Sequence, residues 1–230
     1  QQLFSGKFNW QRNSNYDFLN EYSLPHPVIE SHDHSSKKEY TVLLIDDNSE
    51  LRQFIKNRLQ TFYNIEEAHD GVTGLRLAFE TVPDLIICDV MLPGKSGFEV
   101  VKKVKEDLRT SHIPTIILTA KGSIEQRIVG IQSGADEYIT KPFVLEYLYE
   151  RIKALIRSRE QLKEHYSHDL NIEMNSSTPG SLDKKFINDF TAMIEKHMAN
   201  SELHVNEISR ELGMSRVQVY RKVKALLGYS

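Results

Sequence analysis

The stretch LIICDVMLPGKSG, Leu85 to Gly97, decides the fold. Leu85, Ile86, Ile87 and Cys88 run straight into Asp89 and then into the turn-forming residues Pro93, Gly94, Ser96 and Gly97. A short continuous apolar run closed by turn residues reads as a strand buried on both faces, which is the pattern of a parallel sheet covered by helices. In open α/β sheets ligands sit outside the carboxyl ends of the strands. Asp89 stands at such an end, where an acid serves a ligand rather than the core.

Working outward, the same alternation recurs. YTVLLIDD precedes SELRQFIKNRLQTF, whose Leu51, Phe54, Ile55 and Leu59 fall at helical spacing. NIEEAHD precedes GVTGLRLAFETV, DLIICDVM precedes GFEVVKKVKEDL, PTIILTA precedes SIEQRIVGIQSG, and DEYITKP precedes FVLEYLYERIKALIRSREQLKEHY. Strand-then-helix units in this order imply an α/β domain with a five-stranded parallel sheet and helices on both faces. The last helix keeps apolar residues at Leu148, Ile152, Leu155 and Leu162, and its outer half is long enough to pair with a second copy of itself.

The totals set the frame. With 230 residues, 40% hydrophobic and 27% charged, the chain can bury one ordinary domain and a smaller one. The balance of 29 basic to 32 acidic residues gives no overall attraction to nucleic acid, so any basic surface is local. A single cysteine, Cys88, cannot form an intramolecular disulfide, and a reducing, cytoplasmic setting is expected. No run approaches the roughly 18 apolar residues of a membrane span, and the first residues lack the basic-then-apolar order of a signal peptide. Residues 1–38 read as a linker from an upstream domain, with scattered Asn and Ser and the aromatics Phe4, Phe8, Trp10, Tyr16, Phe18 and Tyr22. Gln1 in place of Met points to a piece of a longer chain. His32 and His34 form an HxH pair with no third ligand nearby.

Asp46, Asp47, Asp89, Thr119 and Lys141 all fall at or just past the carboxyl end of a strand. Carboxylates gathered there repel one another, by roughly 4 kcal/mol per pair at about 4 Å and an effective dielectric of 20. Asp46, Asp47 and Asp89 are hard oxygen donors suited to Mg²⁺, Lys141 adds a cation and Thr119 a hydroxyl. The set describes phosphoryl transfer onto a carboxylate. Taken singly, each has a plainer role: Asp46 and Asp47 as helix caps, Asp89 as a turn residue, Lys141 as a surface charge. Tyr138 reads equally well as a core aromatic.

The chain ends in helices. DKKFINDFTAMIEKHM is amphipathic, and HVNEISRELGMSRVQVYRKVKALLG reads as helix, tight turn at Gly213-Met214, and helix with Ser215 as N-cap. Ile208, Leu212, Val219, Val223 and Leu226 make its inward face, leaving Arg216, Val217, Tyr220, Arg221 and Lys224 on the other side. From Ser209 to Ser230 the basic residues Arg210, Arg216, Arg221, Lys222 and Lys224 stand against Glu211 alone, a net charge of +4. A basic helix after a tight turn suits the major groove, though exposed Arg and Lys on an amphipathic helix also serve simply as a solvated face.

The segments LLIDDN, DVMLPGKSGFE, ILTA and GADEYITKPF, from about Tyr40 to Arg159, resemble the receiver domain of two-component response regulators in order and spacing. That resemblance implies a flavodoxin-like sheet of order 2-1-3-4-5, with Asp89 accepting phosphate from a histidine kinase. It also implies Mg²⁺ held by Asp46, Asp47, Asp89 and the backbone carbonyl of Met91. Lys141 would contact the phosphoryl group beside a cis Lys141-Pro142 bond, and Thr119 and Tyr138 would act as the switch pair. The segment VNEISRELGMSRVQVYRKVKALLGYS is similar to the first helix-turn-helix of the AraC/XylS transcription factors, with Arg216, Val217, Tyr220 and Arg221 at DNA-facing positions. That family carries a second helix-turn-helix beyond this point, whereas this chain stops at Ser230.

The expected organisation is a linker (1–38), a receiver (39–160), a connector (161–181) and a partial AraC-type DNA-binding domain (182–230). Together these resemble a phosphorylation-controlled transcription regulator, and more narrowly the end of a hybrid histidine kinase in which sensor, kinase and regulator share one chain. The implied partners are a histidine kinase domain, promoter DNA and a second copy of the chain; the fragment itself is expected not to be an enzyme. Two alternatives stay open. One is a phosphatase or phosphotransferase of haloacid-dehalogenase type, whose DxDx[TV] first-strand pattern differs from LLIDDNSE; the other is a receiver serving only as interaction module or phosphate sink.

Overall fold

The computed structural model describes residues 38–120, 133–168, 181–197 and 205–228. The expectations placed on residues 1–37, including His32 and His34, on most of the helix after the fourth strand, and on residues 169–180 lie outside them.

Five strands, β1 (Thr41–Ile45), β2 (Asn64–Ala68), β3 (Leu85–Asp89), β4 (Thr115–Ala120) and β5 (Glu137–Lys141), form one parallel sheet of order β2-β1-β3-β4-β5. Between them run α1 (Ser49–Leu59), α2 (Gly71–Thr81) and α3 (Gly97–Glu106), and α4 (Leu145–His168) follows β5. This is the fold class expected, reached for the physical reason expected: successive side chains of a strand point to opposite faces. Val42, Leu44, Leu85, Ile87, Ile116 and Leu118 face one way, onto Leu51, Ile55 and Leu59 of α1 and Leu148, Ile152 and Ile156 of α4. Leu43, Ile45, Ile86, Cys88 and Ile117 face the other, onto Ala78 of α2 and Val100, Val101 and Val104 of α3.

Each helix start is fixed locally. Asn48 caps α1 by accepting from Glu50 N and Leu51 N, Asp70 caps α2 by accepting from Val72 N and Thr73 N, and Ser96 with Glu99 forms a reciprocal capping box on α3. These caps sit just beyond the carboxyl ends of the strands, so the loops that carry the polar residues are held at both sides.

Beyond α4 the chain forms α5 (Ser181–His197), α6 (Val205–Glu211) and α7 (Arg216–Leu227). Ser215 caps α7 with Gln218 completing the box, and Gly228 closes it in the left-handed region at φ 82°. Phe186, Ile187, Met193, Ile208, Met214, Val219, Leu226 and Leu227 make a third core, and Leu108, from the turn after α3, packs against it. Helix α4 meets α7 of the same chain, with the Lys163 side chain against Gly228 at the end of α7. Among the described residues no helix is long and apolar enough to cross a membrane.

Candidate functional site

Strand register brings the polar residues together. Ile45 pairs with Cys88, Asp89 with Leu118, Thr119 with Thr140, and Ala120 with Lys141, so the residue after β1 and the last residues of β3, β4 and β5 share one edge. Lys141 Nζ lies 2.8 Å from Asp46 Oδ2 and 2.6 Å from Asp89 Oδ1. One ammonium therefore serves two carboxylates, and the three groups keep a net negative charge.

Each carboxylate is also held from the backbone. Asn48 N donates to Asp46 Oδ1 at 2.9 Å, and Met91 N donates to Asp89 Oδ2 at 2.9 Å. Burial pushes the Asp89 carboxyl above the ordinary aspartate value, against the opposing pull of the Lys141 ammonium. Burial acts on Lys141 in the opposite sense, but its bonds to Asp46 and Asp89 outweigh it and hold the ammonium above the ordinary lysine value. Cys88, beside Asp89 and wholly buried, has its thiol pushed far up by burial and takes no part as a nucleophile.

The other expected residues are less enclosed. Asp47 is exposed next to the buried Asp46, and Met91 is 69% exposed. Thr119 is half-buried and its hydroxyl donates to the Ala120 carbonyl at 2.9 Å. Tyr138, also half-buried, has its hydroxyl 3.4 Å from Ser133 Oγ and its ring against the α2–α3 side of the core. The Lys141-Pro142 bond is cis.

Two contributors escaped the sequence reading. Arg52 Nη1 donates to the Asp46 carbonyl at 2.6 Å, anchoring the loop from its own helix; nothing in a lone arginine one turn into α1 signals that bond. Gly97 lies so close to β3 that a Cβ there would overlap the Asp89 carbonyl, while its own N–H donates to Val90 O at 3.0 Å. Its place in the quoted KSG turn was visible, its reason was not.

At the far end of the chain, Arg216, Val217, Tyr220, Arg221 and Lys224 are all exposed along α7. Lys222, counted with them in the basic stretch, is not: it is fully buried, its ammonium 2.8 Å from Asp183 Oδ1. The outward charge of α7 is smaller than composition implies by that one residue.

Residues 42–153 match the family profile described as response regulator receiver domain. The chain belongs to this family through that domain. Among solved structures it is similar to a response regulator receiver domain protein from Clostridium thermocellum, at 31% identity over 54% of this chain and 99% of that one, with a TM-score of 0.50. It is likewise similar to a CheY-like receiver domain protein from Methanospirillum hungatei, at 27% identity over 53% of this chain and 97% of that one, TM-score 0.51. A histidine kinase P4 of Formosa agariphila is 39% identical over 196 residues, 85% of this chain and 14% of that protein. The DNA-binding dual master transcriptional regulator RpaA of Synechocystis is 39% identical over 128 residues, 55% of this chain and 53% of that protein. The chain thus spans a small part of the first and about half of the second.

Proposed function

We propose that Asp89 is the phosphoacceptor of a two-component relay, taking a phosphoryl group from the phosphohistidine of a histidine kinase. The observation that carries this reading is the Asp46–Lys141–Asp89 cluster at the carboxyl edge of a receiver sheet. The Asp89 carboxylate oxygen forms a bond to phosphorus as the phosphorus–nitrogen bond of the donor breaks, and the electron pair leaves on the imidazole nitrogen. Lys141, already against Asp89 Oδ1, stays beside the incoming oxygens and offsets their charge.

The donor set fits Mg²⁺: its ligands would be hard carboxylate oxygens, in a cluster that Lys141 leaves net negative. Asp46, Asp47, Asp89 and the backbone carbonyl of Met91 would hold it, and when bound it would neutralise charge on the transferring phosphoryl group. Asp46 is kept in place for that role by Asn48 and Lys141, and its loop by Arg52.

A phosphoaspartate adds acceptor oxygens close to Thr119, whose hydroxyl now spends its proton on the neighbouring Ala120 carbonyl. Rotation of Thr119 toward the phosphoryl group frees space for Tyr138, and the pair acts as the switch. The readout is transcriptional: Arg216, Val217, Tyr220 and Arg221 form the exposed face of α7 that meets promoter DNA, as the first half of an AraC-type reader. The 196-residue likeness to a protein named a histidine kinase runs past the 42–153 receiver span and supports a hybrid parent chain. The test is intact-protein mass spectrometry after incubation with acetyl phosphate and Mg²⁺. Wild type gains one phosphoryl group and Asp89→Asn gains none; equal gain in both overturns the assignment.

A further inference from the structure

The amino ends of the strands carry a second polar centre, opposite the first. Ser111, in the turn between α3 and β4, donates its hydroxyl to Asp183 Oδ1 at 2.6 Å. Lys222 Nζ donates to that same Asp183 oxygen at 2.8 Å and to Ser111 Oγ at 2.9 Å, and lies 5.3 Å from the centre of the Phe186 ring. Lys222 is 0% exposed and Asp183 1%. Around this triad Leu108 packs into the core of α5–α7, and Gln218 Nε2 donates to the Phe79 carbonyl at the end of α2 at 2.8 Å.

A lysine on a helix ordinarily extends its flexible stem until the ammonium reaches water. Burying it is unfavourable unless it is paired and hydrogen-bonded. Here two of the three groups, Asp183 on α5 and Lys222 on α7, belong to the terminal helices, and the third, Ser111, belongs to the receiver. A buried pair closed by a residue of the other domain satisfies its bonds in one relative placement and in no slipped one, which an apolar contact alone does not require. The α5–α7 unit has few residues from which to build a core of its own, and Leu108 of the receiver completes it.

We propose that the amino-end face of the receiver, with Phe79, Leu108 and Ser111 at its centre, is the docking surface for the chain's own α5–α7 helices, latched by Lys222 and Asp183 closing on Ser111. In the docked form Val217 and Tyr220 stay exposed, so the latch presents the outer face of α7 and does not mask it. Phosphorylation at the opposite end of the sheet then acts by moving a joined body, not by uncovering a hidden helix. Only this use of the outer face rests on the proposed DNA reading; the dock stands without it.

The test uses the whole chain and no DNA. Ser111→Glu sets a second carboxylate against Asp183 from the receiver side and alters no residue of α5–α7. Hydrogen exchange along 181–193 and 216–227 is expected to speed up on the order of tenfold or more, with the strands of the receiver still protected and the radius of gyration from solution scattering increased. Ser111→Ala, which only removes a hydroxyl, gives a smaller change in the same direction. Unchanged exchange and scattering in Ser111→Glu, or α5–α7 amides already unprotected in wild type, overturns the dock. Neither result depends on whether α7 binds DNA, and the phosphoryl-uptake test reports separately on Asp89.

Discussion

At the carboxyl end of the sheet one ammonium, Lys141, faces two carboxylates, Asp46 and Asp89; at the amino end one ammonium, Lys222, faces one carboxylate, Asp183, and a hydroxyl, Ser111. The Lys141 side chain remains 24% exposed and that of Lys222 0%. The first cluster is charge-unbalanced and reached by water at Lys141, as the proposed cation and phosphoryl group require. The second is balanced and closed, so its bonding is spent inside the protein. On the functions proposed above, buried charge on one small sheet serves reception at one end and adhesion at the other. What separates the two uses is the count of opposite charges and the access of water, not residue type.

The largest effect on this contrast should come from Lys222→Met. It leaves Asp183 buried without its cation, and loss of one partner of a buried pair costs about 3–5 kcal/mol. Chemical denaturation followed through the helical signal of α5–α7 measures it. The double variant Lys222→Met/Asp183→Leu should recover most of the loss, because a balanced closed pair can be replaced by apolar packing. If the single variant is as stable as wild type, the amino-end cluster is as open as the carboxyl-end one and the contrast fails.

Gly97→Ala probes the other end. The added Cβ overlaps the Asp89 carbonyl, and overpacking of this kind costs about 1–3 kcal/mol. Phosphoryl uptake should fall by more than stability implies, since the displaced backbone carries Asp89 itself. Uptake at the wild-type rate would show that the position of Asp89 tolerates what the geometry forbids.

Acid separates the ends by a different route. His112 is buried beside Ser111, and burial first, then the cations Lys222, Arg159 and Lys105, hold its imidazole well below the ordinary value. The folded state therefore keeps His112 neutral, while the unfolded chain takes up a proton below about pH 6.5. Stability is full above that value and is lost as pH falls below it, with a slope approaching about 1.4 kcal/mol per pH unit for this one group. His112→Gln should flatten the slope between about pH 6.5 and 5; an unchanged slope would mean that His112 titrates freely. Ser215→Ala is the mildest change: it removes the cap of α7 at a cost of about 1 kcal/mol and should loosen α7 without touching phosphoryl uptake.

The carboxyl end was legible in the sequence and the amino end was not. Strands such as LLIDD and LIICD announce both their burial and the acid that ends them, because strand periodicity and the edge rule for α/β sheets act on neighbouring residues. Asp46, Asp89 and Lys141 then meet because each follows its strand out of the core. Lys222 sits between Arg221 and Val223 in a run that reads as a solvated basic face, and its partners lie 39 and 111 positions away on other elements. No local pattern links three such residues; only the packing of α7 against the receiver does. Arg52 and Gly97 escaped for a different reason: their partners are near in sequence, but each acts on the backbone, of the Asp46 loop and of the end of β3, and a contact with backbone leaves no pattern of residue types.

The most direct measurement is the location and chemistry of the phosphoryl group. The chain is treated with acetyl phosphate and Mg²⁺, split into portions with and without hydroxylamine, digested and mapped by mass spectrometry. The account predicts one Mg²⁺-dependent phosphoryl group on the peptide containing Asp89, removed by hydroxylamine as an acyl phosphate is. A phosphoryl group elsewhere, or one on a hydroxyl that hydroxylamine leaves in place, would contradict it.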